Sequence, residues 1–181
     1  INELVVDFRY NGGGYVSSAT ELASLIGSGV TANDVFYRKE YNKAVTPDIE
    51  KQFGKSFFLE NFKTKAQNVG SQISRVFILS STRTASASEL LINGLQPFME
   101  VIVIGQQTAG KNVGSITISD SKNRIKWGIQ PIVSKSYSTV RTIPPVFRHG
   151  WWFRKVLDST HSAIRATHYL ARLFILSQER E

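Results

Sequence analysis

The chain contains no cysteine, and its only three histidines all lie at or beyond His149. The first absence excludes disulfides, thiolate metal sites and a thiol nucleophile. The second removes the usual imidazole base from the first 148 residues. No apolar run approaches the roughly 18 residues that a membrane span needs, and no leader peptide is visible. No run of five or more like charges occurs, although the formal net charge is +8. The Lys and Arg are scattered, which fits a solvated surface better than a nucleic-acid footprint, so no nucleic-acid partner is expected. If this chain performs nucleophilic chemistry, serine must supply the nucleophile and lysine the base.

What is present suffices for a core. Hydrophobic residues make up 41% of 181 residues, which suits one folded domain or most of one. Leu4 to Asp7 reads as a short buried strand, followed by a glycine turn at Asn11-Gly12-Gly13-Gly14. Val16, Ala19, Leu22, Ala23 and Ile26 then repeat at helical spacing. Val35 to Tyr41 reads as a strand. The polar stretch 42–72 reads as a surface insertion with short helices. Arg75 to Ser80 and Val101 to Gly105 read as buried strands that flank a helix over Thr84 to Phe98. Ser115 to Ser119 and Arg124 to Val133 read as a hairpin around Asp120-Ser121-Lys122-Asn123. This alternation predicts an α/β fold, a layered sheet-and-helix core with parallel pairing. The chain opens two residues before the strand-like Glu3-Leu4-Val5-Val6-Asp7, as expected of a partial domain whose upstream part is missing.

Two segments carry the candidate chemistry. Thr84-Ala85-Ser86-Ala87-Ser88-Glu89 opens a predicted helix. Ser86 with Glu89 three residues on is a capping box, a purely structural reading. The same position also suits a nucleophile. Unpaired N–H groups and the helix dipole favour negative charge there, so the Ala87 N–H can stabilise an oxyanion. Gly105-Gln106-Gln107-Thr108-Ala109-Gly110-Lys111 matches the first seven positions of a phosphate-binding P-loop. Asn112 replaces the magnesium-binding Ser/Thr, and Val113 to Ile118 alternates like a strand where a P-loop needs a helix, so nucleotide binding is disfavoured. A lysine serves as general base only if its pKa falls from ~10.4 toward ~7–8. Burial has that effect, and Lys111 is expected to be buried beside Ala109 and Gly110. The glycine turn reads either as a tight strand-to-helix connection or as a second oxyanion donor. Neither a dinucleotide motif nor a metal-ligand cluster is present, and no cofactor is expected.

Leu4-Val5-Val6-Asp7-Phe8-Arg9-Tyr10-Asn11-Gly12-Gly13-Gly14, Thr84 to Leu90, and Ile104 to Lys111 together resemble the C-terminal-processing (tail-specific) serine protease family. They match its glycine turn, nucleophile motif and lysine motif in order, with 25 residues from Ser86 to Lys111. The resemblance covers about Glu3 to Lys135. It implies a core of the kind shared with crotonases and Clp proteases. Ser86 would be the nucleophile and Lys111 its base, with Gly13 and Ala87 donating to the oxyanion. The implied reaction is hydrolysis of peptide bonds near protein C-termini through an acyl-enzyme, in the bacterial periplasm or cell envelope. The implied partners are protein or peptide substrates with accessible C-termini. The resemblance further implies an upstream PDZ domain, absent from this chain, and membrane association of the full-length protein. Ser115 stands where the family often has a longer polar residue that orients the lysine, and Pro97 stands where it often has an acid. The alternative on the same fold is an inactive module that binds peptides or apolar ligands.

The resemblance divides the chain into a catalytic core over 1–136, carrying the insertion 42–72, and an atypical basic tail over 137–181. Residues Tyr137 to Arg148, shifted by two bases, can spell a family-like continuation, and the same holds near His161. One reading therefore has the tail out of frame. The other has a real basic segment in which Ala163 to Leu176 forms an apolar-faced helix.

Overall fold

A computed structural model of the chain describes residue 1 and residues 3–139. The expectations for the tail beyond residue 139 lie outside the described residues.

Three parallel strands form the first sheet, in the order β1 (Leu4–Asp7), β4 (Arg75–Ser80), β5 (Glu100–Gly105). Parallel neighbours need crossover connections. Between β1 and β4 the chain runs through α1 (Val16–Ile26), β2 (Val35–Tyr41), α2 (Thr46–Phe53), a 3-10 turn (Lys55–Phe58) and β3 (Leu59–Asn61). The connection from β4 to β5 is α3 (Ala87–Leu95). Beyond β5 come β6 (Val113–Ser115), β7 (Ile118–Ser119), β8 (Gly128–Ile129) and β9 (Ile132–Tyr137).

A second sheet has the order β3-β2-β9-β6 and is antiparallel throughout. This sheet completes the expected layered α/β architecture, but its antiparallel pairing was not legible from the strand-helix alternation. The sequence-predicted hairpin is present as the short β7–β8 pair and, at its base, as the antiparallel β6–β9 pair in which Ser115 stands opposite Ile132. Its return strand, which holds Val133, runs on as β9 to Tyr137.

All nine residues of α3 are buried, because the helix packs against α1, β2, β5 and β9. Small residues permit this close approach. A Cβ added to Gly94 would stand 2.1 Å from the Phe36 ring, and Phe36 itself is fully buried. Leu91, Ile92 and Leu95 join Val76, Ile78 and Val101 in one apolar cluster. The stretch 42–72 is not wholly a surface insertion. Phe62 is buried in that cluster, with its ring edge-on to Phe36 and to Phe98. β3 also extends the second sheet. Its short apolar signals, embedded in polar sequence, concealed this role. No helix among the described residues is long and apolar enough to cross a membrane.

Candidate active site

Because β1, β4 and β5 are parallel, the loops that follow them emerge at one edge of the sheet. Ligand sites of open α/β sheets gather at this carboxyl edge. The glycine turn follows β1, the Ser86 loop follows β4 and the Lys111 loop follows β5.

Hydrogen bonds tie the three loops together. The Thr84 hydroxyl, fully buried, donates to Phe8 O at 2.6 Å and accepts the Ser81 N–H at 3.0 Å. The Ser81 hydroxyl donates to Arg9 O. Asn11 O accepts the Ala85 N–H at 3.3 Å and the Ser88 hydroxyl at 3.2 Å. The Ala109 N–H donates to Thr84 O at 2.9 Å.

Ser86 occupies the N-cap of α3 with φ 57° and ψ −117°. Positive φ is costly for a residue bearing a Cβ. Nucleophilic serines are known to sit on strained strand-to-helix turns of this kind, which expose Oγ. The predicted helix over Thr84 to Phe98 is shortened by this turn, because Ser86 leaves helical space and Thr84 is used as a bridge. Ala87, the first helical residue, follows directly.

Gly13 lies against this turn. A Cβ built on it would stand 2.7 Å from Ser86 Cβ, 2.8 Å from Ala85 O and 3.0 Å from Ala87 N. Its φ of +100° also favours glycine. The two expected oxyanion donors, Gly13 and Ala87, are therefore neighbours. The Gly13 N–H is engaged at 2.9 Å by the Asn11 side-chain oxygen, so in this state the Asn11 amide occupies that donor.

Glu89 was read from sequence only as a capping partner. Its carboxylate does accept the Ser86 N–H at 2.8 Å. It accepts three further donors from the lysine loop: the Thr108 hydroxyl at 2.5 Å, the Gly110 N–H at 2.6 Å and the Lys111 N–H at 2.8 Å. Those partners stand 19 to 22 residues further along the chain, beyond the reach of local pattern.

Lys111 is exposed, contrary to the expected burial. Its loop leads into β6, a strand, as the rejection of a P-loop required. Ser86 Oγ and Lys111 Nζ are not hydrogen-bonded to each other in this state. Catalytic hydrogen bonds are commonly loose before substrate binds. Ser115 ends β6 on an exposed face, and its side chain forms no hydrogen bond among the described residues.

Asp7 and Arg9 close the rim as an exposed pair, 2.6 Å apart. The Arg9 guanidinium holds the Asp7 carboxyl below its ordinary pKa, mainly by hydrogen bonding, and Asp7 in turn raises that of Arg9.

Among solved structures, a putative S41 protease from Bacteroides fragilis NCTC 9343 aligns with a TM-score of 0.58 at 24% identity, over 76% of this chain and 33% of that one. The photosystem II D1 C-terminal processing protease aligns with a TM-score of 0.53 at 19% identity, over 76% of this chain and 30% of that one. Both likenesses concern the fold, and the chain spans about a third of the length of each protein. No curated protein sequence gives a significant match. The description of peptidase family S41 matches residues 1–143, a span that holds the parallel sheet and all three of its loops, and the chain belongs to that family.

Proposed function

We propose that these loops form the catalytic centre of a serine endopeptidase that cleaves near protein C-termini with a Ser86–Lys111 dyad. One observation carries the reading. Gly13, Ser86, Ala87 and the backbone of Lys111 converge at the carboxyl edge of a parallel sheet, within a hydrogen-bonded frame.

Ser86 Oγ attacks the scissile carbonyl carbon while Lys111 Nζ takes its proton. The carbonyl oxygen becomes an oxyanion that the Ala87 N–H and the glycine turn stabilise. Collapse of the intermediate breaks the C–N bond, and the leaving amine takes the proton from Lys111. Water, deprotonated by the same lysine, then attacks the acyl-Ser86 carbon; the C–Oγ ester bond breaks, Lys111 returns the proton to Ser86 Oγ, and the carboxylate product leaves. A substrate strand lying over Lys111 would exclude water from it, a burial that the described residues alone do not supply. The Gly13 N–H becomes available once it exchanges Asn11 for the oxyanion.

The substrates in this reading are proteins with accessible C-termini, met in the cell envelope. Family membership and the assembled residues support it. The test uses an unstructured protein substrate with Ser86→Ala and Lys111→Ala variants. Both variants are expected to stay folded and to lose cleavage. Normal cleavage by Ser86→Ala would overturn the reading, and cleavage retained by Lys111→Ala would remove the dyad.

A further inference from the structure

A glutamate at the third position of a helix ordinarily returns to a single donor, the N-cap N–H. Glu89 receives that donor and three more. An ionised carboxylate offers about four lone-pair sites, so the acceptor capacity of Glu89 is filled. The side chain is only 2% exposed, so water cannot stand in for any lost partner. The division between the two oxygens is informative. Oε2 takes the N–H groups of Ser86 and Lys111, while Oε1 takes Thr108 and Gly110. A single oxygen atom thus joins the backbones of the two reacting residues, whose side chains are not bonded to each other.

We propose that Glu89 is the positioning residue of the pair, holding the lysine loop in register with the nucleophile turn through their backbones. The inference rests on the peptidase reading for its consequence and on the hydrogen bonds alone for its geometry. The Glu89 carboxylate bonds neither Ser86 Oγ nor Lys111 Nζ, and nothing in the role requires it to exchange protons.

The isosteric Glu89→Gln variant separates positioning from folding. An amide carries one acceptor oxygen and one NH2 donor. The Thr108 hydroxyl can reverse to accept from that NH2, but the Gly110 N–H is then left facing a donor. The fold should therefore survive while the lysine loop loosens. A misplacement of about 1 Å can cost ~100-fold in rate. The expected result in the full chain is a kcat lower by roughly that factor, with KM within about threefold. Amide hydrogen exchange at Gly110 and Lys111 should quicken relative to wild type, with exchange in the β4 core unchanged. Glu89→Ala should give the same pattern, larger. Wild-type kcat in Glu89→Gln would overturn the proposal. So would a loss of activity wholly explained by the unfolded fraction, or unchanged exchange at Gly110 and Lys111. If wild type fails to cleave, or Ser86→Ala cleaves equally well, the peptidase reading falls, while the exchange measurement still decides whether Glu89 holds the loop.

Discussion

Gly13 and Ser86 are in contact so close that Gly13 leaves no room for a side chain. A Cβ on Gly13 would stand 2.7 Å from the Ser86 Cβ, on a backbone with φ +100°. Gly13→Ala is therefore expected to destabilise the fold by about 1–3 kcal/mol through steric overlap and backbone strain. It should also abolish cleavage, because relief of the overlap must move the nucleophile turn. Denaturant unfolding and a cleavage assay on the same preparation measure both effects.

The strain at Ser86 makes a prediction of opposite sign. Its φ of 57° and ψ of −117° cost of order 1–3 kcal/mol for a residue with a Cβ. Ser86→Gly is expected to abolish cleavage while offsetting much of that strain. The greater flexibility of glycine in the unfolded chain reduces the gain to about 1 kcal/mol. Ser86→Ala keeps the Cβ and should show no such gain. The difference between the two midpoints of denaturation is the test.

Thr84 holds two loops with one hydroxyl. Thr84→Val preserves shape but leaves the Ser81 N–H without its partner and Phe8 O with the Asn11 N–H alone. At about 1–3 kcal/mol for a buried group left unsatisfied, a loss of about 1–3 kcal/mol is expected. Chemical denaturation should show an earlier midpoint at unchanged slope.

The Asp7–Arg9 pair predicts a modest dependence on acid. The folded-state pKa of Asp7 lies below its ordinary value because of the Arg9 hydrogen bonds. Its stabilisation is thus present above the unfolded-state pKa of about 3.9. It is lost as pH falls from there through the lower folded value. With side chains 46–47% exposed, solvent screening keeps the contribution of the pair small. Asp7→Asn should flatten the stability–pH curve below about pH 4 and leave neutral pH little changed.

Much of the sheet was legible because it rests on short apolar runs. β1, β2 and β4 fall on Leu4–Asp7, Val35–Tyr41 and Arg75–Ser80, as their patterns required. Gly13 beside Ser86 also followed from motif order. Glu89 did not, because a capping box explains it fully within four residues and its other donors arrive from a distant loop. Phe62 was missed for a similar reason: it follows Phe53, Phe57 and Phe58 in a polar stretch with no regular spacing, and only its packing on Phe36 and Phe98 reveals it as core. The burial expected of Lys111 followed from its small neighbours, yet those neighbours form a turn that leaves the side chain in solvent.

The central claim is that Ser86 is acylated with Lys111 as its base. Acid quench during turnover of a peptide ester, followed by intact mass and peptide mapping, tests it most directly. The expected result is one acyl group per chain, mapped to the peptide holding Ser86, and no adduct in Lys111→Ala. An adduct on another residue, or one formed equally in Lys111→Ala, would contradict it.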